Sequence, residues 1–163
     1  MSPAHALELH AVDQAFEPGA PILRGLDAQI PLEGLTFVVG RSGSGKSVLC
    51  RLAVGLLRPD RGEVSLMGVD VPRASERSLR ELRARCPYLV QGPALLDWLT
   101  LEQNVALAAK QNGSPPGPRV ARALERVGLG RFAGAFPPSV GPGLKKRAAI
   151  ARALVLEPGF LLL

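Results

Sequence analysis

The chain has few residues of the kinds that build metal sites and aromatic binding platforms. Among its 163 residues are two cysteines, Cys50 and Cys86, and two histidines, His5 and His10. Neither cysteine has a partner at the spacing of paired metal ligands, so we expect no zinc or iron–sulfur site. Aromatic residues make up only 4% of the chain and do not alternate with basic ones. This argues against a stacking platform for single-stranded nucleic acid, and we expect no nucleic-acid partner.

Long apolar runs are absent as well. No run approaches the roughly 18 residues that a membrane-spanning helix needs, and the N-terminus lacks the apolar core of a signal peptide. These features predict a cytoplasmic protein whose two cysteines are small core residues in a reducing compartment. The net charge of +6 is compatible with nucleotide, nucleic-acid or anionic-lipid partners and does not choose among them.

The chain does contain a regular alternation of strand and helix patterns. Strands are predicted at 6–12, 21–30, 35–39, 63–67, 86–91 and 160–163, and helices at 48–57, 78–85, 101–110, 120–127 and 144–156. Alternating strands and helices indicate an α/β domain with a largely parallel core sheet, to which the early strands add a small antiparallel part. The continuous apolar run at 35–39 is typical of a strand covered on both faces. Ser78 and Glu81 predict a capping box at the start of the 78–85 helix.

A glycine-rich loop follows the third predicted strand. Its sequence, GRSGSGKS, fits the pattern G-x-x-x-x-G-K-[ST] at every fixed position. Such a loop presents backbone N–H groups to an anion, and the positive end of the following helix adds to them. Lys46 would reach the β- and γ-phosphates of a nucleotide, and Ser47 would ligate Mg²⁺. An accidental Gly/Ser loop is the alternative, but the strand before it and the helix after it argue against that reading. The predicted nucleotide-binding residues are Gly40, Arg41, Ser42, Gly43, Ser44, Gly45, Lys46, Ser47 and Val48.

Further segments carry a resemblance to a known family. They are Tyr88–Gln91, Ala94–Val105, Lys145–Leu154 and the pair Glu157-Pro158. Their order and spacing resemble the nucleotide-binding subunits of ATP-binding cassette (ABC) transporters over nearly the whole chain. Within that superfamily, SGSGKSVL, GLLRPDRGEV and KKRAAIARAL are most similar to the ATPases of Mla-type (Mce-associated) phospholipid transporters. The resemblance implies a P-loop NTPase fold of the ABC ATPase type that uses ATP and Mg²⁺ for transport of lipid or another envelope substrate.

The resemblance also implies an organisation and a location. The chain 1–163 would form one nucleotide-binding domain, with a catalytic core at about 1–90, a helical subdomain at 91–140, and the signature helix and the start of the next strand at 141–163. The subunit would dimerise with itself or with a second ATPase. It would lie at the inner face of the bacterial cell membrane, bound to a permease subunit through the region 91–100.

Individual roles carry over at three positions. Gln91 matches the Q-loop glutamine, which senses Mg²⁺ and the attacking water; the alternative is a strand-end glutamine hydrogen-bonded to backbone. Phe16 lies where an aromatic ring would stack on adenine, although it could equally belong to the core. Trp98 would be an exposed anchor for the permease, and a core position is the competing interpretation.

The chain departs from the family in its signature motif. Where the family has L-S-G-G, this chain has Val140, Gly141, Pro142, Gly143 and Leu144. Gly141 removes the serine hydroxyl and Pro142 removes a backbone N–H, so two donors aimed at the γ-phosphate of the opposite subunit are missing. One such donor is typically worth about 10²–10³ in rate. We therefore expect a weakened signature.

The Walker B acids of the family would follow the apolar run Leu161–Leu163. We expect negligible hydrolysis from residues 1–163 alone, because neither the Mg²⁺-holding aspartate nor the catalytic glutamate lies among them. The alternative function is that of a non-hydrolysing or degenerate nucleotide-binding fragment.

Overall fold

The computed structural model describes residues 5–90, 92, 94–109 and 116–163, without the side chain of Pro116. Internal contacts divide the chain into two compact units, Met1–Arg83 and Ala84–Leu163, called here the N-terminal and C-terminal units. The predicted division into catalytic core, helical subdomain and signature segment stays a prediction.

The N-terminal unit is built around an antiparallel sheet of four strands in the order β2-β1-β3-β4. The strands are β1 His5–Glu17, β2 Ala20–Pro31, β3 Arg61–Leu66 and β4 Val69–Asp70. Apolar side chains of β1 and β3 alternate inward and are fully buried, among them Leu7, Leu9 and Leu66. The antiparallel part predicted for the early strands is confirmed, although β1 is longer than expected and irregular in register.

Two helices follow, α1 Lys46–Ala53 within this unit and α2 Glu76–Arg85, whose last two residues belong to the C-terminal unit. The capping box predicted at Ser78 is wrong, because α2 begins two residues earlier. The hydroxyl of Ser75 accepts a hydrogen bond from the N–H of Ser78 at 3.1 Å, which makes Ser75 the cap. Glu81 instead pairs with Arg77 along the helix surface.

The strand predicted at 35–39 is not formed. Leu35, Phe37 and Val39 are 77%, 76% and 87% exposed, and their backbone is irregular. A buried strand exists only when neighbouring strands pair with its N–H and C=O groups, and no strand of the described residues pairs with this run.

The largely parallel core sheet that the sequence predicted is not formed among the described residues, where the runs predicted as strands at 86–91 and 160–163 share a single parallel bridge between Tyr88 and Leu162. A parallel sheet requires several neighbouring strands to pair, and within the residues that the structure describes these two runs pair only with each other. The N–H of Leu89 donates to the carbonyl of Leu162 at 2.9 Å, and the N–H of Leu162 donates to the carbonyl of Pro87 at 3.1 Å. The bridge lies wholly within the C-terminal unit.

The C-terminal unit consists mainly of helices α3 Leu101–Ala109, α4 Pro116–Arg126 and α5 Pro142–Leu154, with 3₁₀ turns at Gly130–Phe132 and Pro137–Ser139. The three predicted amphipathic helices are confirmed, with α4 starting four residues and α5 two residues earlier than expected. They share one apolar core, formed by Leu101, Val105, Ala109, Val120, Ala123, Leu124, Leu129, Ala148, Ala151 and Val155.

The cysteines are only partly where they were expected. Cys86 is fully buried, as predicted, whereas Cys50 on α1 is half-buried. In the described part of the chain, every helix falls short of the length and apolar character that crossing a membrane requires.

Candidate functional site

The glycine-rich loop enters α1 with most of its backbone donors unused. The N–H of Ser44 donates to the carbonyl of Arg41 at 3.2 Å, and the N–H of Leu49 closes the first helical turn on Gly45 at 2.8 Å. Among the described residues, the N–H groups of Arg41, Ser42, Gly43 and Gly45 have no protein acceptor. The first N–H groups of α1 are likewise free by the geometry of a helix N-terminus. The loop can therefore supply several donors to one anion.

Gly45 is required by the shape of this loop. It caps α1 in the left-handed region, at φ +90°. A Cβ there would lie 2.8 Å from a methyl of Leu23 and 3.0 Å from a methyl of Ile22. Only glycine combines that backbone conformation with so close an approach to β2.

Lys46 folds back over the loop. Its Nζ donates to the carbonyl oxygens of Gly40 at 2.8 Å and Arg41 at 2.7 Å. The hydroxyl of Ser44 lies 3.5 Å away. The ammonium is thus held beside the free amides, where phosphate oxygens could replace carbonyl oxygens as its acceptors. Ser47 is exposed at the start of α1 and could offer its hydroxyl to Mg²⁺.

Of two further predicted residues, the structure describes Phe16 but not Gln91. Phe16, near the end of β1, is 57% exposed, which excludes the core alternative; adenine stacking by this ring stays a prediction. Gln91 lies outside the described residues, so its predicted role as sensor of Mg²⁺ and water stays a prediction too.

The predicted signature residues form the start of α5. Gly141 is the N-cap in an extended conformation, and Pro142 occupies the first helical position. Proline is well suited there, since the N–H that it lacks would have no partner inside the helix. The N–H groups of Leu144 and Lys145 both donate to the carbonyl of Gly141, at 3.1 and 3.2 Å. Gly143 is exposed and its N–H remains available to an anion.

The segment 94–100, predicted to receive a permease, is held by a side chain that the sequence reasoning missed. Asn104 on α3 is fully buried. Its Oδ1 accepts from the N–H of Leu96 at 2.8 Å, and its Nδ2 lies 2.9–3.0 Å from the carbonyls of Leu96, Leu99 and Thr100. A polar residue between two buried apolar positions of a helical pattern is the signal that could have identified it.

Trp98 projects from this segment. It is 72% exposed, which excludes the core alternative. Large exposed aromatic side chains are common anchors of protein interfaces. Trp98 is therefore exposed on the segment that was predicted to bind a permease, as an anchor residue must be.

Burial shifts the pKa of three groups. Desolvation raises the pKa of the Cys50 and Cys86 thiols above the ordinary value of 9.0; nearby Arg85 opposes the shift at Cys86. Desolvation also lowers the pKa of the Arg152 guanidinium, which still remains charged at neutral pH.

The chain is similar to known proteins over most of its length. The family model described as "ABC transporter" matches residues 23–163. The chain is 43% identical over 145 residues to a "Methionine import ATP-binding protein MetN" of Mesorhizobium japonicum, a match covering 87% of this chain and 40% of the relative. It is 40% identical over 166 residues to "MetN 2" of Burkholderia mallei, covering 98% of this chain and 42% of that protein. The chain thus spans about two fifths of the curated relatives that it matches.

Solved structures show the same likeness. One is cbiO1 from Clostridium perfringens, part of the ABC transporter complex cbiONQ, with a TM-score of 0.86 and 27% identity over 98% of this chain and 64% of that one. A second is an ATP-binding cassette in a dimeric post-hydrolysis state bound to ADP and Pi, with a TM-score of 0.86 and 26% identity over 95% of this chain and 72% of that one. The predicted fold class, an ABC-type P-loop ATPase, is confirmed.

Proposed function

Because this chain belongs to the ABC transporter family of ATP-binding proteins, we propose that its loop 40–47 binds the phosphates of ATP with Mg²⁺. Lys46 supplies a positive charge and Ser47 a hydroxyl for the metal ion. Phe16 stacks on the adenine ring, and Gln91 senses the metal and the attacking water. The protein is the ATP-binding subunit of a transporter.

The observation that carries this proposal is the set of free amides beside the Lys46 ammonium. A triphosphate needs several donors at once, and this loop concentrates them on a few consecutive residues. Backbone donors held in place by a turn that Gly45 permits need little rearrangement when the ligand arrives, which favours tight binding.

Thermal unfolding with and without Mg-ATP tests the site. A ligand at about 100 times its dissociation constant adds about 2.7 kcal/mol to the free energy of unfolding, so the melting temperature should rise. Lys46→Ala should abolish that rise. Arg77→Ala is the matched control, since it also removes one cation from the N-terminal unit but lies on α2, paired with Glu81. A rise that persists in Lys46→Ala, or no rise in the folded wild-type chain, would overturn the assignment.

The cargo is proposed separately. The relatives reported above are named as methionine importers, and they do not support the Mla-type subfamily or a lipid cargo. We therefore propose methionine or a similar small amino acid as the solute whose passage the subunit drives. Uptake of labelled methionine by cells lacking this protein should fall and recover on its return; unchanged uptake would contradict the cargo and leave ATP binding standing.

The proposed partners follow from the same family membership. The subunit dimerises with itself or a second ATPase and lies against the cytoplasmic side of a permease, which docks on the region 91–100 through Trp98. Hydrolysis is weakened by the altered signature at 140–144. In the assembled transporter, Gly141→Ser with Pro142→Gly should raise ATPase activity; no increase would show that these donors do not limit the rate.

A further inference from the structure

The segment 94–100 has a second attachment, to the helix that carries the altered signature. Arg152, near the end of α5, donates from Nη1 to the carbonyl of Ala94 at 2.7 Å. Asn104 holds the rest of the segment from α3. The backbone of the segment that carries Trp98 is therefore hydrogen-bonded to side chains of two different helices.

The backbone at Ala94 is in an unusual conformation. Its φ of +43° lies in the left-handed region, which non-glycine residues seldom adopt without a compensating interaction. The φ angle also sets the direction in which the chain enters the segment. A charge-assisted hydrogen bond of 2.7 Å to the carbonyl of the same residue is the kind of interaction that holds such a conformation.

The surroundings of Arg152 explain why this bond is important to the guanidinium. Arg152 lines a cavity of about 380 Å³, together with Ala94, Leu96 and Leu107. No acidic side chain lines the cavity within the described part of the chain. The half-buried cation is thus compensated by a backbone carbonyl, and a partly desolvated charged donor makes a stronger bond than one in water.

Arg152 also lies on the same rigid element as the signature residues. It is eleven residues beyond Gly141, or roughly 16 Å along the axis of an α-helix. We propose that Arg152 is a positioning residue that ties the segment 94–100 to α5, so that a shift of the α5 N-terminus on binding phosphate is passed to the surface around Trp98. This rests on the proposed function, because it gives the signature helix a route to the permease-binding segment.

The sole tryptophan of the chain makes the attachment measurable. Arg152→Met keeps the length of the side chain and removes its donors, and losing a charge-assisted bond should raise the population of released segment conformations roughly tenfold or more. Fluorescence anisotropy of Trp98 should fall and acrylamide quenching should rise. Arg152→Lys, which keeps one cationic donor, should recover part of both signals. Arg126→Met, on the exposed side of α4, is the matched control and should change neither.

The proposed coupling to the permease is tested in the assembled transporter. Arg152→Met should lower the permease-stimulated kcat roughly ten- to a hundredfold while leaving the KM for ATP unchanged, and Arg152→Lys should restore part of the loss. Unchanged anisotropy and quenching in Arg152→Met would overturn the attachment, and unchanged stimulated kcat would overturn its role in coupling. The Trp98 signals do not require nucleotide, so they distinguish failure of this proposal from failure of ATP binding. Should Arg152→Met not fold, Arg152→Lys against wild type makes the same comparison.

Discussion

At the scale of single residues, the least conspicuous side chains organise the candidate site. Asn104 carries no chemistry of its own, yet its Oδ1 accepts from the N–H of Leu96, and the two hydrogens of its Nδ2 are shared among the carbonyls of Leu96, Leu99 and Thr100. Among the described residues, the N–H of Leu96 and the carbonyl of Leu99 have no backbone partner, so a buried amide with both donors and an acceptor is well suited to satisfy them. Fixing a surface aromatic in this way lowers the entropy cost of docking a partner.

Replacing Asn104 by alanine should destabilise the C-terminal unit. Each buried polar group left without a partner costs about 1–3 kcal/mol, so we expect Asn104→Ala to lower the free energy of unfolding by at least about 2 kcal/mol. Urea denaturation, monitored by the fluorescence of Trp98, measures this loss in the free energy of unfolding. Gln103→Ala is the matched control, because that neighbouring amide makes one exposed hydrogen bond, to the N–H of Thr100, and should cost less than about 1 kcal/mol. Equal losses in the two variants would contradict the role given to Asn104.

The two thiols should react with an alkylating reagent at different rates, although both become more reactive as the pH rises. Burial raises the pKa of both thiols above 9.0, so alkylation by iodoacetamide should still accelerate as the pH rises past that value. Fully buried Cys86 should react more slowly than half-buried Cys50, with Cys50→Ser and Cys86→Ser isolating each thiol.

The same shift has a consequence for stability. The folded state favours the neutral thiol, so its contribution is complete below pH 9.0 and is lost as the pH rises through the raised pKa. Stability of the Cys50→Ser variant should therefore decline above about pH 9.0 partly through Cys86. If the rate of alkylation by iodoacetamide levelled off below pH 9.0, that result would contradict the raised pKa of the thiols.

At the scale of elements, local sequence patterns predicted the presence of helices more accurately than the residue at which each helix begins. The three helices of the C-terminal unit were predicted because their apolar period is a property of each helix alone. The start of α2 was missed because two serines three residues apart offer alternative caps, and only Ser78 has an acidic residue, Glu81, at the third position after it, as a capping box requires. In the structure Ser75 is the cap, because its hydroxyl accepts a hydrogen bond from the N–H of Ser78 and is also hydrogen-bonded to the hydroxyl of Ser78.

The choice of cap can be measured directly. Ser75→Ala should lower the free energy of unfolding by about 1 kcal/mol, the usual cost of removing an N-cap side chain. Ser78→Ala should cost much less, because alanine is a better helix former inside the first turn and the N–H of residue 78 keeps its acceptor. Thermal or urea unfolding compares the two variants. A larger loss in Ser78→Ala would restore the capping box as first predicted.

At the scale of the whole molecule, a feature could be predicted from the sequence when the residues that determine it all lie in one short segment. The loop 40–47 could be predicted as a phosphate-binding loop because spacing, glycine content and the lysine are all local. That role stays a prediction, and the structure adds the unpaired amides, the left-handed Gly45 and the position of Lys46. The run 35–39 does not by itself determine whether a strand forms, because a strand depends on pairing partners elsewhere in the chain. The attachment of Arg152 to Ala94 joins residues 58 positions apart, and no pattern in the sequence indicates it.

The net charge of the molecule leads to the last prediction. With a formal charge of +6, the chain should attract Mg-ATP over distances longer than those of direct contact. The screening length falls from about 10 Å at 0.1 M salt to about 3 Å at 1 M, so affinity for a fluorescent ATP analogue should weaken steadily across that range. Contacts made by the loop amides act at short range and are screened less, so binding should not vanish.

Two controls separate this effect from simpler causes. Potassium glutamate in place of chloride should give the same dependence on ionic strength if screening rather than anion competition is responsible. A thymidine oligonucleotide at equal phosphate concentration should not displace the analogue, because its backbone phosphates carry single charges and cannot fill a loop built around one triphosphate. Displacement by the oligonucleotide would show that the basic surface, and not the loop of Gly40–Ser47, dominates binding, and would contradict the assignment of that loop as the nucleotide site.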